Sequence, residues 1–338
     1  MKNILILSTV AFVFWACSFS PKYYTHSGEI FGTRFNIKYE YNKNLSKQID
    51  SLLNNFNNCF SNYNPNSIIS KINNNETHEI NDLINNMFQT SFEVNQTTNG
   101  AFDITVAPIV NLWGFGWKKN HNKNIPDSAL IDSVLQYVGM DKIQVIGNKI
   151  VKTCPNVTVV VNAIAKGLSV DYISEYFDSL QIKNYLVEIG GEVYCKGINH
   201  KKKNWTLGIE KPIENSNYDN RENQIRIQIN EKGIATSGNY RQFLEYNKQK
   251  YGHTIDPRTG YPAKNSLLSV SVISESTMLS DAYATAFMVS GLEESIKILE
   301  NLKNIDVYFI YLDENLNEKT YATKGFENMY VKNVKKND

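Results

Sequence analysis

The order in which hydrophobic periods succeed one another constrains the fold of this chain most. Leu45, Ile49, Leu52, Leu53, Phe56 and Phe60 recur at helical spacing. Ile80, Leu83, Ile84, Met87, Phe88 and Phe92 do the same, before Asn99-Gly100 closes the run. Asp127 is placed to cap a third helix reaching Val138, and residues 143–153 (IQVIGNKIVKT) read as a hairpin across Gly147-Asn148. The β-branched stretch 157–161 reads as a strand running straight into a helix over 163–180. Residues 27–40 read as extended with a break at Gly32, and 185–196 (YLVEIGGEVYCK) as a strand with a double glycine at its middle. Further strands are predicted at 205–210, 224–230, 268–274 and 306–312, and helices at 277–289 and 292–302. This order is neither strict βαβ nor all-β, so the fold class is α+β. No repeat and no Pro- or Gly-rich linker divides the 338 residues, a length suited to one large domain or two small ones.

Charge and the N-terminus bound the function. Thirty-five Lys+Arg against 34 Asp+Glu give a net charge of +1, which argues against a nucleic-acid partner held by bulk positive charge. Met1-Lys2-Asn3 precedes an apolar run over 4–15. A membrane-spanning helix needs about 20 apolar residues, so this run fits the apolar region of a secretory signal instead. Ala16-Cys17 then resembles a bacterial lipoprotein cleavage site, the alternative being a soluble exported protein. The expected organisation is a signal peptide at 1–16, a tether at 17–26 and a catalytic domain at 27–332. Acyl chains on Cys17 would hold the protein on the periplasmic face of a membrane, the inner one by expectation. Cys59, Cys154 and Cys195 cannot all pair with one another and are not spaced as metal ligands.

Six segments carry more glycine, small polar and single charged residues than packing requires: AFDITVAPIVNLWGFGW (101–117), NAIAKGLSVD (162–171), EIGGEVYCKG (188–197), ATSGNYRQF (235–243), GHTIDPRTGYP (252–262) and SDAYATAF (280–287). Asp281 and Thr285, four apart on a predicted helix, share a face. A carboxylate and a hydroxyl are hard oxygen donors suited to Mg²⁺, or else an ordinary exposed polar pair. Gly190-Gly191 reads as a place where backbone N–H groups could face phosphate, or as a β-bulge. His253, Asp256 and Arg258 fall in one tight loop. There an imidazole could move a proton and a guanidinium could clamp an anion, unless Asp256 and Arg258 pair with each other. Lys166 opens a helix after a strand, but no P-loop or dinucleotide-binding glycine pattern accompanies it.

Taken in order, AFDITVAPIVNLWGFG, NAIAKG, ATSGNYR, GHTIDPRTG and SDAYATA resemble the signatures of the FAD:protein FMN transferase (ApbE) family of exported flavin-transfer lipoproteins. The resemblance runs from about Ser27 to Leu299. It implies a two-lobed α+β fold with mixed or antiparallel sheets, flanking helices and FAD in the cleft between lobes. It implies Mg²⁺ on the FAD diphosphate, and transfer of FMN to a Ser or Thr hydroxyl with release of AMP. The implied acceptor is a flavoprotein subunit of a membrane redox complex.

By the same resemblance, Asp281, Thr285 and the carbonyl of Ala163 are the Mg²⁺ ligands. Tyr63 is the aromatic stacked on the isoalloxazine. Phe31 stands where the family has Met, and Ala101, Phe102 and Asp103 form a flavin-site strip. Lys166 contacts FAD, Gly190 and Gly191 approach the diphosphate, and His253 and Ile255 lie beside the phosphates, with His253 as the base for the acceptor hydroxyl. Val160 stands where the family often has Asp, which removes one polar contact. The same residues would also serve an FAD pyrophosphatase yielding FMN and AMP. A flavin-binding lipoprotein without turnover is disfavoured, because storage requires no such set as Asp281, Thr285 and His253.

Overall fold

A computed structural model describes residues 21–117, 125–213, 222–239, 243–246 and 249–331. The proposed signal peptide, Cys17, Tyr240 and Arg241 lie outside these residues. In chain order the elements are β1 (Lys22–Ile30), β2 (Thr33–Tyr41), α1 (Ser46–Phe60), α2 (Ile68–Asn73), α3 (Asp82–Thr97), α4 (Ala107–Leu112), α5 (Ser128–Leu135), β3 (Ile143–Ile146), β4 (Lys149–Lys152) and α6 (Ala165–Ser179). They continue with β5 (Tyr185–Ile189), β6 (Glu192–Lys196), β7 (Thr206–Glu210), β8 (Asn223–Gln228), β9 (Lys232–Gly238), β10 (Phe243–Tyr246), β11 (Gln249–Gly252), β12 (Leu267–Ser274), α7 (Thr277–Leu299), β13 (Asp306–Leu312), β14 (Glu318–Ala322) and α8 (Lys324–Glu327).

Eight of the described strands form one sheet, ordered β1-β2-β5-β6-β9-β12-β13-β14, and each of its pairings is antiparallel. Alternation along the strands sorts the side chains into two cores. Ile37, Tyr185 and Val187 face α1 and α6, while Val270, Val272, Val307 and Phe309 face α3 and α7. Their neighbours Leu186, Val193, Ile234, Ile273, Tyr308 and Ile310 point the other way, onto Trp205, Ile209 and Ile227 of the β7–β8 region and onto Phe326 of α8. The sheet is thus buried on both faces. The α+β expectation holds, with antiparallel ladders throughout the described sheets.

Residues 27–40 are extended with the expected break, which is the turn of the β1–β2 hairpin at Phe31 (φ 55°) and Gly32 (φ 71°). Four local readings are corrected. The first strand of that hairpin begins at Lys22, inside the expected tether. Residues 185–196 are a hairpin, and Gly190 (φ 68°) and Gly191 (φ 104°) form its two-residue turn; two positive φ angles match the twist of the flanking strands. The 157–161 segment is buried but joins no ladder. Val160 N–H donates to Ile104 O, while Asn73 and Asn62 satisfy Val159 and Val161. Side-chain amides there do the work expected of a neighbouring strand, so high β propensity did not make a strand. Helix α6 accordingly starts at Ala165, two residues later than predicted.

The predicted break between the last two helices is present: Gly291 (φ 77°, ψ 175°) interrupts α7. Asn265 Nδ2 donates to the carbonyl oxygens of Met288 and Val289 just before the break, at 2.9 and 3.4 Å. Asp127 caps α5 as expected, its Oδ1 accepting from Leu130 N–H at 2.7 Å.

Candidate active site

Helices α6 and α7 are clasped in both directions by buried carboxylates. Asp171 on α6 accepts the N–H groups of Thr277 and Met278, both at 2.8 Å, and the Ser276 hydroxyl at 2.7 Å. It thereby serves the donors left open at the start of α7. Burial pushes its carboxyl above the usual range, against the pull of those donors. In return Asp281 on α7 accepts the N–H of Gly167 at 3.0 Å through Oδ2. Gly167 is the third residue of α6, where helical N–H groups lack an intrahelical partner. Its donor turns to Asp281, and among the described residues no hydrogen bond reaches the Ala163 carbonyl.

Lys166 joins this clasp. Its Nζ lies 2.5 Å from Glu192 Oε1 and 3.5 Å from Asp281 Oδ1. Both carboxylates are almost fully buried, whereas about a third of the Lys166 side chain is exposed (32%). Burial works to lower the Lys166 pKa, but Asp281 and Glu192 raise it further, and the net direction is up. Burial drives Glu192 upward, opposed first by Lys166, to about 7. Its second oxygen, Oε2, is buried without a hydrogen-bond partner. Sequence reading passed over Glu192. The signal was its register: it pairs with Ile189, whose side chain faces the helices, so a charged residue sits at an inward position.

The two hairpin turns meet at this cluster. A Cβ on Gly190 would lie 3.0 Å from Thr33 Cγ2, 3.1 Å from Lys166 Cδ and 3.2 Å from Glu192 Oε2. The expected use of the glycine N–H groups toward phosphate is not what this structure holds: Gly190 donates to Arg34 O and Gly191 to Glu188 Oε1. Phe31, beside them, takes a left-handed conformation that is unfavourable for a bulky residue. Its ring lies 5.4 Å from that of Phe56.

One turn along α7 from Asp281, Thr285 Oγ1 is 3.3 Å from Ser237 Oγ. The same strand leads on to Asn239, whose Oδ1 accepts the Thr254 hydroxyl at 2.6 Å, next to His253. His253 is half-buried, with its ring edge-on to Phe115 at 6.4 Å. Ile255 is buried against Ile109, Trp113 and Ile131, and Trp113 Nε1 donates to Gly260 O at 2.8 Å. Arg258 is engaged by the Asp256 carboxylate through Nε and Nη2 and by Glu294 through Nη1. Of the two sequence readings for this loop, mutual pairing of Asp256 and Arg258 is the one present.

The 101–103 strip supports the site rather than lining it with side chains. Ala101 and Phe102 are 1% exposed, and Phe102 belongs to the main core. Asp103 Oδ1 accepts from Thr105 N–H at 2.7 Å and from its hydroxyl, and Oδ2 accepts from Met140 N–H at 3.1 Å. Burial pushes Asp103 up to about 6 against these donors. The strip touches the His253 loop through Gly100, where a Cβ would meet Arg258 Cγ at 3.6 Å. Tyr63, by contrast, is 68% exposed. It follows Asn62, which is bonded to Val159 and Val161.

The donor set suits a hard divalent cation. Asp281 Oδ1, the Thr285 hydroxyl and the Ala163 carbonyl are all oxygens, and no thiol or imidazole is among them. Among the described residues no cluster of three or more His, Cys, Asp and Glu competes as a metal centre.

Comparison with known proteins accords with this geometry. Residues 31–309 match the ApbE family. The FAD:protein FMN transferase of Haemophilus influenzae is 33% identical over 333 residues, covering 93% of this chain and 95% of that protein. Its counterpart in Vibrio cholerae is 33% identical over 336 residues, covering 97% and 98%. The solved structure of the flavin transferase ApbE from Vibrio cholerae matches with a TM-score of 0.81 at 33% identity, over 91% of this chain and 99% of that one. The apo form of the Pseudomonas stutzeri flavinyl transferase ApbE gives 0.81 at 26% identity, over 94% and 99%. The chain belongs to the ApbE family.

Proposed function

We propose that this protein is an FAD:protein FMN transferase, moving FMN from FAD to a Ser or Thr hydroxyl of an acceptor flavoprotein and releasing AMP. One observation supports this most: Asp281, with one oxygen fixed by Gly167 and the other facing Lys166, stands over the start of α6 and one turn from Thr285. A partly exposed ammonium beside the site suits a diphosphate, and the carboxylate suits the Mg²⁺ that would accompany it.

Asp281, Thr285 and the Ala163 carbonyl would hold Mg²⁺, which when bound supplies charge neutralisation at the diphosphate and the departing phosphate oxygen. The chain's own residues do the rest. Lys166 orients the phosphates through its ammonium, and Tyr63 offers an exposed face for the flavin ring. The acceptor hydroxyl attacks the phosphorus on the FMN side, its proton passes to His253, and the bond to the AMP phosphate breaks. Such transfers depend chiefly on position and electrostatics.

Export and lipid attachment through Cys17 belong to the same reading, as does an acceptor within a membrane redox complex. No helix of the described residues is long and apolar enough to cross a membrane. The test is incubation of the purified protein with FAD, Mg²⁺ and an acceptor domain bearing a candidate Ser or Thr. Mass spectrometry should find FMN attached to that hydroxyl, and chromatography should find AMP. Free FMN and AMP with an unmodified acceptor would mark a pyrophosphatase instead.

A further inference from the structure

We propose that Glu192 is a positioning residue that parks the Lys166 ammonium, so that Asp281 Oδ1 stays open to a divalent cation while Lys166 balances the buried charge until the cation arrives. The inference rests on the metal role of Asp281 proposed above.

Three contacts carry it. Asp281 Oδ2 is committed to the Gly167 N–H, which leaves Oδ1 as the oxygen free to ligate. Lys166 Nζ faces that same oxygen, but at 3.5 Å, a loose contact, while it holds Glu192 Oε1 at 2.5 Å. A lysine tight on Asp281 would occupy the ligating oxygen; a lysine tight on Glu192 does not. Glu192 also has a second carboxylate oxygen, buried and without a partner, beside the Gly190 turn and the Lys166 stem. Such an atom is costly to leave unsatisfied. When a divalent cation takes Asp281 Oδ1, like charge repels Lys166, and Glu192 Oε2 can take up the contact it gives away. The cluster thus exchanges one cation for another without leaving either carboxylate bare, which in a buried setting is the expensive state.

The test measures Mn²⁺ binding, by loss of the free-ion electron paramagnetic resonance signal, with and without saturating FAD. Wild-type protein is compared with Glu192→Gln, Lys166→Met, the double variant and Asp281→Ala, each first checked for its circular dichroism spectrum. Glu192→Gln lets Lys166 settle on Asp281 and should weaken Mn²⁺ binding roughly tenfold or more. Lys166→Met removes the competitor and should tighten binding in the absence of FAD. The double variant should recover to within about threefold of wild type, which a merely structural role for Glu192 would not produce. Wild-type binding in Glu192→Gln, weaker binding in Lys166→Met, or a double variant as weak as Glu192→Gln overturns the proposal. If the wild type binds no Mn²⁺ under either condition, or Asp281→Ala binds as well as wild type, the metal reading itself fails and this inference goes with it.

Discussion

The N–H of Gly167 donates to Asp281 Oδ2 at 3.0 Å, and the two helices approach so closely there that a Cβ on Gly167 would lie 2.3 Å from Thr277 O and 2.8 Å from Asp281 Cβ. The nearest atom is backbone, so the crowding cannot be relieved by turning a side chain. Gly167→Ala is therefore expected to separate α6 from α7, at a cost of about 1–3 kcal/mol in stability. Because Asp281 moves with the interface, the transfer rate should fall too. Urea denaturation alongside an FMN transfer assay checks both; wild-type values in each would show that the helices have slack at this point.

Asp281→Asn keeps the shape and an oxygen to accept from Gly167, but loses the charge. Metal assistance supplies several kcal/mol of transition-state stabilisation, so transfer should drop about 10³-fold. The rate should also stop responding to Mg²⁺, while the circular dichroism spectrum stays that of the wild type. A Mg²⁺ titration that superimposes on the wild-type curve would remove Asp281 from the metal site.

His253→Ala should slow transfer by about 10²–10⁴-fold, the usual contribution of a general base. FAD affinity should change little, because the half-buried ring packs edge-on to Phe115 in a loop whose shape is set by other bonds. Those bonds are Asp256 N–H to Tyr261 O and Trp113 Nε1 to Gly260 O, at 2.8 Å each. Single-turnover rates at saturating FAD, with affinity from flavin fluorescence, separate the two effects. Equal loss of binding and rate would make His253 a binding residue.

How far the chain could be read from its letters depended on how local each signal was. Asp281 and Thr285 lie within one helical turn, so their shared face follows from spacing alone. Asp127 as a helix cap and the break between the helices at 277–289 and 292–302 are equally local, and both stand in the structure. What the letters concealed is set by partners far along the chain. Asn62 and Asn73 satisfy the backbone near Val159 from 97 and 86 residues away, which turns an apparent strand into a buried loop. Glu192 meets Lys166 across 26 residues, and only the strand register shows that it points inward. Asp103 looks like a site carboxylate beside Phe102, yet its bond to Met140 N–H, 37 residues on, makes it a fastener.

Tyr63 offers a clean separation of binding from folding. At 68% exposure its ring contributes little to the core, so Tyr63→Ala should alter stability by no more than about 0.5 kcal/mol. If the ring stacks on the flavin, its removal should weaken FAD binding by roughly 3–10-fold, the range expected of an aromatic pair. Thermal unfolding without FAD and fluorescence titration with FAD provide the two readings. Unchanged affinity would place the flavin elsewhere.

Asp103 makes a prediction about pH whose sign runs against the usual behaviour of carboxylates. Burial, offset by Thr105 and Met140, holds it at about 6 in the folded chain, against an ordinary value of 3.8. Between these two values the folded state binds a proton that the unfolded state has already lost. Stability from this group is therefore greatest below about pH 4, falls as pH rises toward 6, and levels off above. A shift of about two units corresponds to on the order of 3 kcal/mol. Asp103→Asn cannot titrate, and the hydrogen bonds it loses are a constant offset at every pH. The stability of wild type minus that of Asp103→Asn, from denaturant unfolding at intervals between pH 4 and 7.5, should thus decline across pH 4–6 and then stay flat. A difference that rises with pH, or does not change, would mean that the donors from Thr105 and Met140 outweigh burial, and that this carboxylate is charged throughout the range.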